Sequence, residues 1–231
     1  MITIENVEVT GFNAAFRGMR NPMNSWDKSD SHNYDGHCEL AGIYCDSCDG
    51  HACYPHFDMG SNDHELAMKL VNGGSVHAKF RRMINVTFDV TAPLYWWKEA
   101  DTYKVGTVRN SCSTMHKIQA KRFELDDFSH EHLLHTGDGD NPIDAIVRWL
   151  NYYREAFLKT NDKEYWWQMI QLLPSSYNQR ATVQLNYEVL ANIYKWRKDH
   201  KLDEWRDFCK WIETLPYSEL ITTTTEVPQD A

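Results

Sequence analysis

Between Asn85 and Thr91 apolar and polar residues alternate without a break, with Val86, Phe88 and Val90 on one side and Thr87, Asp89 and Thr91 on the other. A period of two is the mark of a half-buried strand. Ala92-Pro93 ends it, and Pro93 suits the first turn of a helix from Leu94 to about Asp101, in which Tyr95, Trp96 and Trp97 are core by default. Ile2 to Thr10 alternates less cleanly through Ile2, Ile4, Val7 and Val9, which predicts a strand with a bulge. Asn13 to Met19 predicts a short helix closed by Asn21-Pro22. Asn62 or Asp63 caps a helix through about Asn72 that Gly73-Gly74 stops, and Val76 to Met83 predicts a second short helix carrying His77. Asn141-Pro142 opens a helix from Ile143 to about Lys159, and another follows from Asp162 to Leu172.

Residues 172–215 read as a long helix. Leu185, Val189, Ile193 and Trp196 share its apolar face, and Leu215-Pro216 closes it. At 100° per residue Asn186 and Arg197 return to within about 20° of each other on one border of that face, and Asn192 lies on the other. Two amides and a guanidinium thus flank a dry stripe. Left without partners they cost on the order of 1 to 3 kcal/mol each, so either neighbouring backbone or a ligand satisfies them.

Composition narrows the class. The chain has 231 residues, 42% hydrophobic, with 9 Trp, 12 Tyr and 9 Phe, which predicts a folded single domain over residues 1–231 with a flexible polar tail from 222 to 231. A net charge of −9 and no basic tract argue against binding a nucleic-acid duplex, while a mononucleotide needing two or three Arg stays open. No apolar run reaches 18 residues and Met1-Ile2-Thr3-Ile4-Glu5 lacks the pattern of a signal peptide, so no membrane contact and a cytoplasmic location are expected.

Two segments break the periodic pattern. Residues 24 to 61 turn polar, and a Cys-rich insertion at about 30–61 holds Cys38, Cys45, Cys48 and Cys53. Cys45-x-x-Cys48 has the spacing at which two thiolates grip one tetrahedral ion, and Cys38 and Cys53 complete a zinc set, with His37, His51 and His56 as substitutes. Reduced structural cysteines and a redox pair are the alternatives. Thr102 to His116 is a loop dense in small hydrogen-bonding residues, where Lys104 or Arg109 with the Thr and Ser hydroxyls suit a phosphate and Cys112 is a candidate nucleophile. Arg17 and Arg20 are either phosphate contacts or surface charges. These patterns give an α+β domain with a polar ligand site and no further chemistry.

Leu173-Pro174, Thr182, Asn186, Asn192 and Arg197 stand at the spacing found at the C-terminal end of the flavin-dependent thymidylate synthases, the ThyX family. Gly73-Gly74-Ser75-Val76-His77, the strand from Val86 and its Ala92-Pro93 ending also resemble that family, over about Ala14 to Trp211. The resemblance implies the ThyX-like fold, a small antiparallel sheet packed with a helical bundle. It implies FAD contacted by His77, Asn186 and Asn192, with Lys104 and Thr107 as further cofactor contacts. It assigns Arg197 to the pyrimidine of dUMP, whose reactivity it raises, with Arg109, Asn110, Ser111 and Ser113 as substrate contacts. NADPH as reductant, methylenetetrahydrofolate as one-carbon donor and a homotetramer follow from the same likeness.

The signature Arg-His-Arg-x-x-Ser-x-Asn-Glu-x-Ser-x-Arg is degenerate here, reading Tyr103-Lys104-Val105-Gly106-Thr107-Val108-Arg109-Asn110-Ser111-Cys112-Ser113-Thr114-Met115. Its first Arg, His, Glu and final Arg are missing, and Ile170-Gln171 replaces the Arg that precedes Leu-Pro. A dianionic phosphate favours bidentate Arg forks, so compensation is expected from Lys104, Arg109, Lys117 or Arg180, or the substrate is another pyrimidine nucleotide. The expected activity is one-carbon transfer to carbon 5 of dUMP or a related uracil nucleotide. The alternatives are a non-catalytic flavin- or nucleotide-binding homologue and a zinc-stapled interaction module.

Overall fold

The computed structural model describes residues 2–34, 56–135 and 141–223. The chain is α+β. Strand β1 (Thr3–Thr10) leads into α1 (Phe12–Arg20), and the short strands β2 (His32–Tyr34) and β3 (His56–Asp58) pair antiparallel before α2 (Ser61–Asn72). Then come β4 (Asn85–Pro93), α3 (Leu94–Ala100), β5 (Val108–Ser111), α4 (Pro142–Thr160) and α5 (Lys163–Leu172). The chain continues through β6 (Asn178–Asn186), α6 (Tyr187–Arg197), α7 (Asp203–Ile212) and α8 (Glu219–Thr222). The main sheet has strand order β1-β4-β6-β5, with β5 and β6 antiparallel in the register Asn110↔Thr182. Among the described residues no helix is long and apolar enough to cross a membrane.

The chain forms two compact units. The first takes residues 2–8, 87–135, 141–184 and 197–211. The alternation of β4 places Phe88 and Val90 at 1% exposure. Phe88 packs 4.7 Å from Trp211, and Trp96 of α3 lies 4.8 Å from Trp205 of α7. Each such buried ring contributes about 1.5–3 kcal/mol by leaving water. A second cluster joins Ile118, Phe123 and Phe128 to Ile143 and Leu150 of α4 and Met169 of α5. Asn151 stitches that cluster to the chain, its Oδ1 accepting from the Phe123 N–H at 3.0 Å and its Nδ2 donating to the Phe123 carbonyl at 2.9 Å. The start of α4 follows its sequence, with Asn141 and Asp144 in a capping box and Pro142 in the first turn.

The second unit takes residues 9–34, 56–86, 185–196 and 212–223. Phe12 of α1 stacks on Phe57 at 5.1 Å and meets Tyr187 edge-on at 5.8 Å. Two ion pairs lie inside it. Arg20 Nε donates to Asp63 Oδ1 at 2.5 Å, with the two side chains 4% and 0% exposed, so Arg20 is a structural charge rather than a phosphate contact. Arg81 pairs with Glu188 and donates to the Leu220 carbonyl. Asp63 does not cap α2; Asp30 does, accepting from the backbone N–H groups of Asn62 and Asp63 at 2.9 and 3.0 Å.

Other expectations change too. Residues 172–215 are a strand and two helices, because Ala181, Val183 and Leu185 of β6 are buried while Arg180, Thr182 and Gln184 between them are exposed. The face of α6 is Tyr187, Leu190 and Ile193, and Trp196 is 67% exposed. The stretch 102–116 contains β5, and 76–83 holds a 3-10 turn (Lys79–Met83) rather than a helix. β1 runs unbroken from Thr3 to Thr10, with Asn6 in the left-handed region at φ 52°. Cys38, Cys45, Cys48 and Cys53 lie outside the described residues. No group of three or more His, Cys, Asp or Glu placed to hold a metal occurs among the described ones.

Candidate functional site

In the first unit the guanidinium of Arg197, at the end of α6, sits in a cage. Its Nε donates to Tyr103 Oη at 2.9 Å and its Nη1 to Glu99 Oε2 at 2.6 Å. Its carbon lies 4.8 Å from the Trp205 ring and 5.7 Å from the Tyr103 ring, close enough for both faces to attract the charge. His200 Nε2 stands 2.9 Å from Nη1, and Trp205 Nε1 donates to the same Glu99 oxygen at 3.1 Å. Arg197 is 18% exposed and Glu99 33%, so the pair is half-buried and reachable. Sequence reasoning found Arg197 and missed Glu99, which lies 98 positions away, and with it His200 and Trp205, which are near in sequence but carry no motif of their own.

The expected phosphate compensators, all in this unit, separate into two groups. Arg109 pairs with Asp101 at 2.9 Å and covers the Trp97 ring at 4.6 Å. Arg180 is held by Asp89 at 2.9 Å and Glu5 at 3.3 Å. Lys104 and Lys117 are exposed and have no acidic partner among the described residues. Asp89 collects hydrogen bonds from Thr182 Oγ1, Asn6 Nδ2 and Arg180 Nη2, and with Thr182 first among these causes its carboxyl is held down to about 2.

The loop residues are divided by β5. Asn110 is opposite Thr182, while Arg109 and Ser111 are opposite Val183 and Ala181. Successive strand residues face opposite sides, so the structure does not gather these three on one face. Ser113 Oγ accepts from the N–H groups of Met115 and His116, which fixes the turn beyond the strand. Thr107 Oγ1 is buried and has no hydrogen-bond partner among the described residues, the kind of hydroxyl that a ligand oxygen satisfies.

In the second unit His77 is exposed on the turn after α2. A Cβ on Gly73 would lie 3.1 Å from its ring, so the glycine lets the imidazole pack over the backbone. Asn186 caps α6, its Oδ1 accepting from the N–H groups of Glu188 and Val189, both at 3.1 Å, and its amide Nδ2 has no protein partner among the described residues. Asn192 is exposed two turns on. A separate cleft of about 350 Å³ in the first unit, lined by Trp149, Tyr153, Gln168, Gln171 and Leu172, includes none of the expected cofactor or substrate contacts, though Gln171 belongs to the pair that stands in place of the Arg before Leu-Pro.

The sequence matches no family model and no curated relative. Its structure does match solved ones. A flavin-dependent thymidylate synthase ThyX from Helicobacter pylori, complexed with FAD and dUMP, superposes with a TM-score of 0.63 at 18% identity, covering 94% of this chain and 97% of that one. This is the fold of the ThyX proteins. A second Helicobacter pylori ThyX structure with FAD and dUMP gives 0.63 at 16% identity, covering 96% and 97%. The UMP/dUMP methylase PolB from Streptomyces cacaoi, bound with 5-Br dUMP, gives 0.56 at 15% identity, covering 96% and 95%. On the ThyX fold of this chain, Leu173-Pro174 follows α5, Thr182 lies on β6, Asn186 caps α6, and Asn192 and Arg197 are on that helix.

Proposed function

We propose that this chain is a ThyX-like flavoenzyme that transfers a one-carbon unit to carbon 5 of a pyrimidine nucleotide, dUMP or a relative of it. The observation that carries the reading is the caged Arg197, oriented by Glu99 and Tyr103 at the position the family pattern assigns to the pyrimidine contact. A guanidinium stacked on Trp205 is preorganised to donate to ring oxygens or nitrogens where charge develops during attack from carbon 5.

FAD fits the groups present. Asn186 Nδ2, Asn192 and His77, without side-chain partners among the described residues, offer polar atoms on the second unit for the amide-like edge of a flavin; taken separately, the Thr107 hydroxyl and Lys104 on the first unit suit a phosphate oxygen. When bound, FAD would supply the reducing equivalents that convert the transferred carbon to a methyl group, with NADPH and methylenetetrahydrofolate as the sources of electrons and carbon. The substrate phosphate falls to Lys104 and Lys117 as point charges and to the Ser113 hydroxyl as a neutral donor, with Arg109 freed only by breaking its Asp101 pair. Homotetramer assembly is part of the same proposal, and exposed Trp149, Tyr152 and Leu158 on α4 supply apolar surface for it.

Tritium release from carbon 5 of labelled pyrimidine nucleotides, in the presence of FAD, NADPH and methylenetetrahydrofolate, tests the reading. Release that Arg197→Ala reduces by about a hundredfold or more supports it. A flavin-bound protein that releases no tritium from any pyrimidine nucleotide leaves it a binding homologue and refutes the enzyme.

A further inference from the structure

The imidazole of His200, between α6 and α7, is met by a donor on each of its nitrogens. Leu202 N–H donates to Nδ1 at 3.2 Å, so Nδ1 is the unprotonated nitrogen and the neutral ring carries its hydrogen on Nε2. Nε2 in turn stands 2.9 Å from Arg197 Nη1, which has no lone pair to offer, and 3.5 Å from Glu99 Oε2. Glu99 Oε2 is already taken by Arg197 Nη1 at 2.6 Å and by Trp205 Nε1 at 3.1 Å. Arg197 and Glu99 are the charged groups that face the ring among the described residues. From α7, Trp205 meets it at 6.5 Å, and Arg206 donates to the His200 carbonyl at 2.7 Å, on the backbone rather than the ring.

We propose that His200 is a positioning residue, neutral while Arg197 holds Glu99, and that its protonation releases Arg197 from the cage. The inference rests on the reading of Arg197 as the pyrimidine contact. A second proton on the ring must go to Nδ1, where it meets the Leu202 N–H, donor against donor. It also sets an imidazolium 2.9 Å from a guanidinium, a like-charge contact. What the charged ring gains is a closer approach to Glu99, and Arg197 Nη1 stands on the oxygen it would approach. Protonated His200 and the Arg197–Glu99 pair therefore exclude one another. Once Nη1 is displaced, Arg197 keeps Tyr103 on Nε but loses the carboxylate that fixes its other end. A nucleotide that needs the guanidinium in its caged position thus binds the neutral form of His200 and expels the second proton. By linkage its affinity falls as pH falls.

Two measurements on the full chain, saturated with FAD, test this. In NMR of the histidine rings, His200 should titrate from its Nε2–H form, and adding dUMP should move its midpoint to lower pH. In isothermal titration, wild type should lose dUMP affinity between about pH 8 and about pH 6 by at least about fivefold more than His200→Gln, since one linked proton changes affinity by up to about tenfold per pH unit. The phosphate of dUMP also loses charge over this range, but equally for both proteins, so the difference belongs to His200. A midpoint that rises or stays in place with dUMP, or affinities of the two proteins that run parallel, overturns the positioning role and leaves Arg197 as the pyrimidine contact. No dUMP binding by FAD-saturated wild type at the upper pH overturns the Arg197 reading itself. The NMR midpoint needs no variant, so if His200→Gln fails to fold the wild-type result decides.

Discussion

Asp63→Asn isolates one charge in the second unit. Asp63 is 0% exposed; Oδ1 accepts from Arg20 Nε at 2.5 Å, and Oδ2 accepts from the hydroxyls of Ser29 and Ser31 and the N–H groups of Asp30 and Ser31. Burial pushes this carboxyl up, but the Ser31 and Ser29 hydroxyls and the Arg20 guanidinium together hold it below the usual range. Asparagine keeps the volume and one acceptor oxygen, but it strands the Arg20 guanidinium, 4% exposed, without a counter-charge. Removing one partner of such a pair costs about 3–5 kcal/mol. For a chain of this length each kcal/mol moves Tm by about 2–4 °C, so a loss of roughly 6–20 °C is expected in a calorimetric or circular-dichroism melt. Because the folded pKa is depressed, the charge stabilises above the ordinary carboxylate range and the contribution fades as pH falls through the folded value. The gap between variant and wild type should therefore narrow below about pH 4. Arg20→Met combined with Asp63→Leu should recover most of the loss. A single variant melting within about 2 °C of wild type at neutral pH would refute the claim that this pair clamps α1 to α2.

Three further outcomes follow from the geometry. Asn186→Ala should lower stability by about 1 kcal/mol through loss of the α6 cap, and Asn186→Ser should keep most of it, both read as Tm. Asp89 should titrate near 2 in carbon-detected NMR, so its contribution is complete above the ordinary carboxylate value and is lost as pH falls through about 2; Thr182→Ala should raise that midpoint. Gly11→Ala should yield little soluble protein, because Gly11 sits at φ 97° and a Cβ there would lie 2.0 Å from the Met83 carbonyl oxygen, a clash with backbone that no rotamer relieves.

What could be read from sequence was whatever repeats locally. The β4 alternation and the Asn141-Pro142 helix start carry their own signals, and Val86, Phe88 and Val90 are 0%, 1% and 1% exposed. β6 was also written in the chain, as Ala181-Thr182-Val183-Gln184-Leu185, but Leu185, Val189, Ile193 and Trp196 also fit a helical stripe, and the longer pattern masked the shorter. β5 has no alternation to find: Val108, Arg109 and Asn110 are exposed, and the segment is a strand because β6 offers it a free edge. The site divides the same way. Arg197, Asn186 and Asn192 were visible as polar residues in an apolar context, though Asn186 proves to be a helix cap. Glu99 and Trp205 became visible only when folding brought α3 and α7 to Arg197, and His200, three residues beyond it, carried no pattern to mark it.

The most direct test of the central claim is the visible absorption spectrum of the purified chain, titrated with FAD and then with dUMP. The account predicts flavin bands that saturate near one FAD per chain, shift when a pyrimidine nucleotide is added, and keep their FAD stoichiometry but lose the nucleotide-induced shift in Arg197→Ala. A protein that retains no flavin once excess FAD is removed contradicts it.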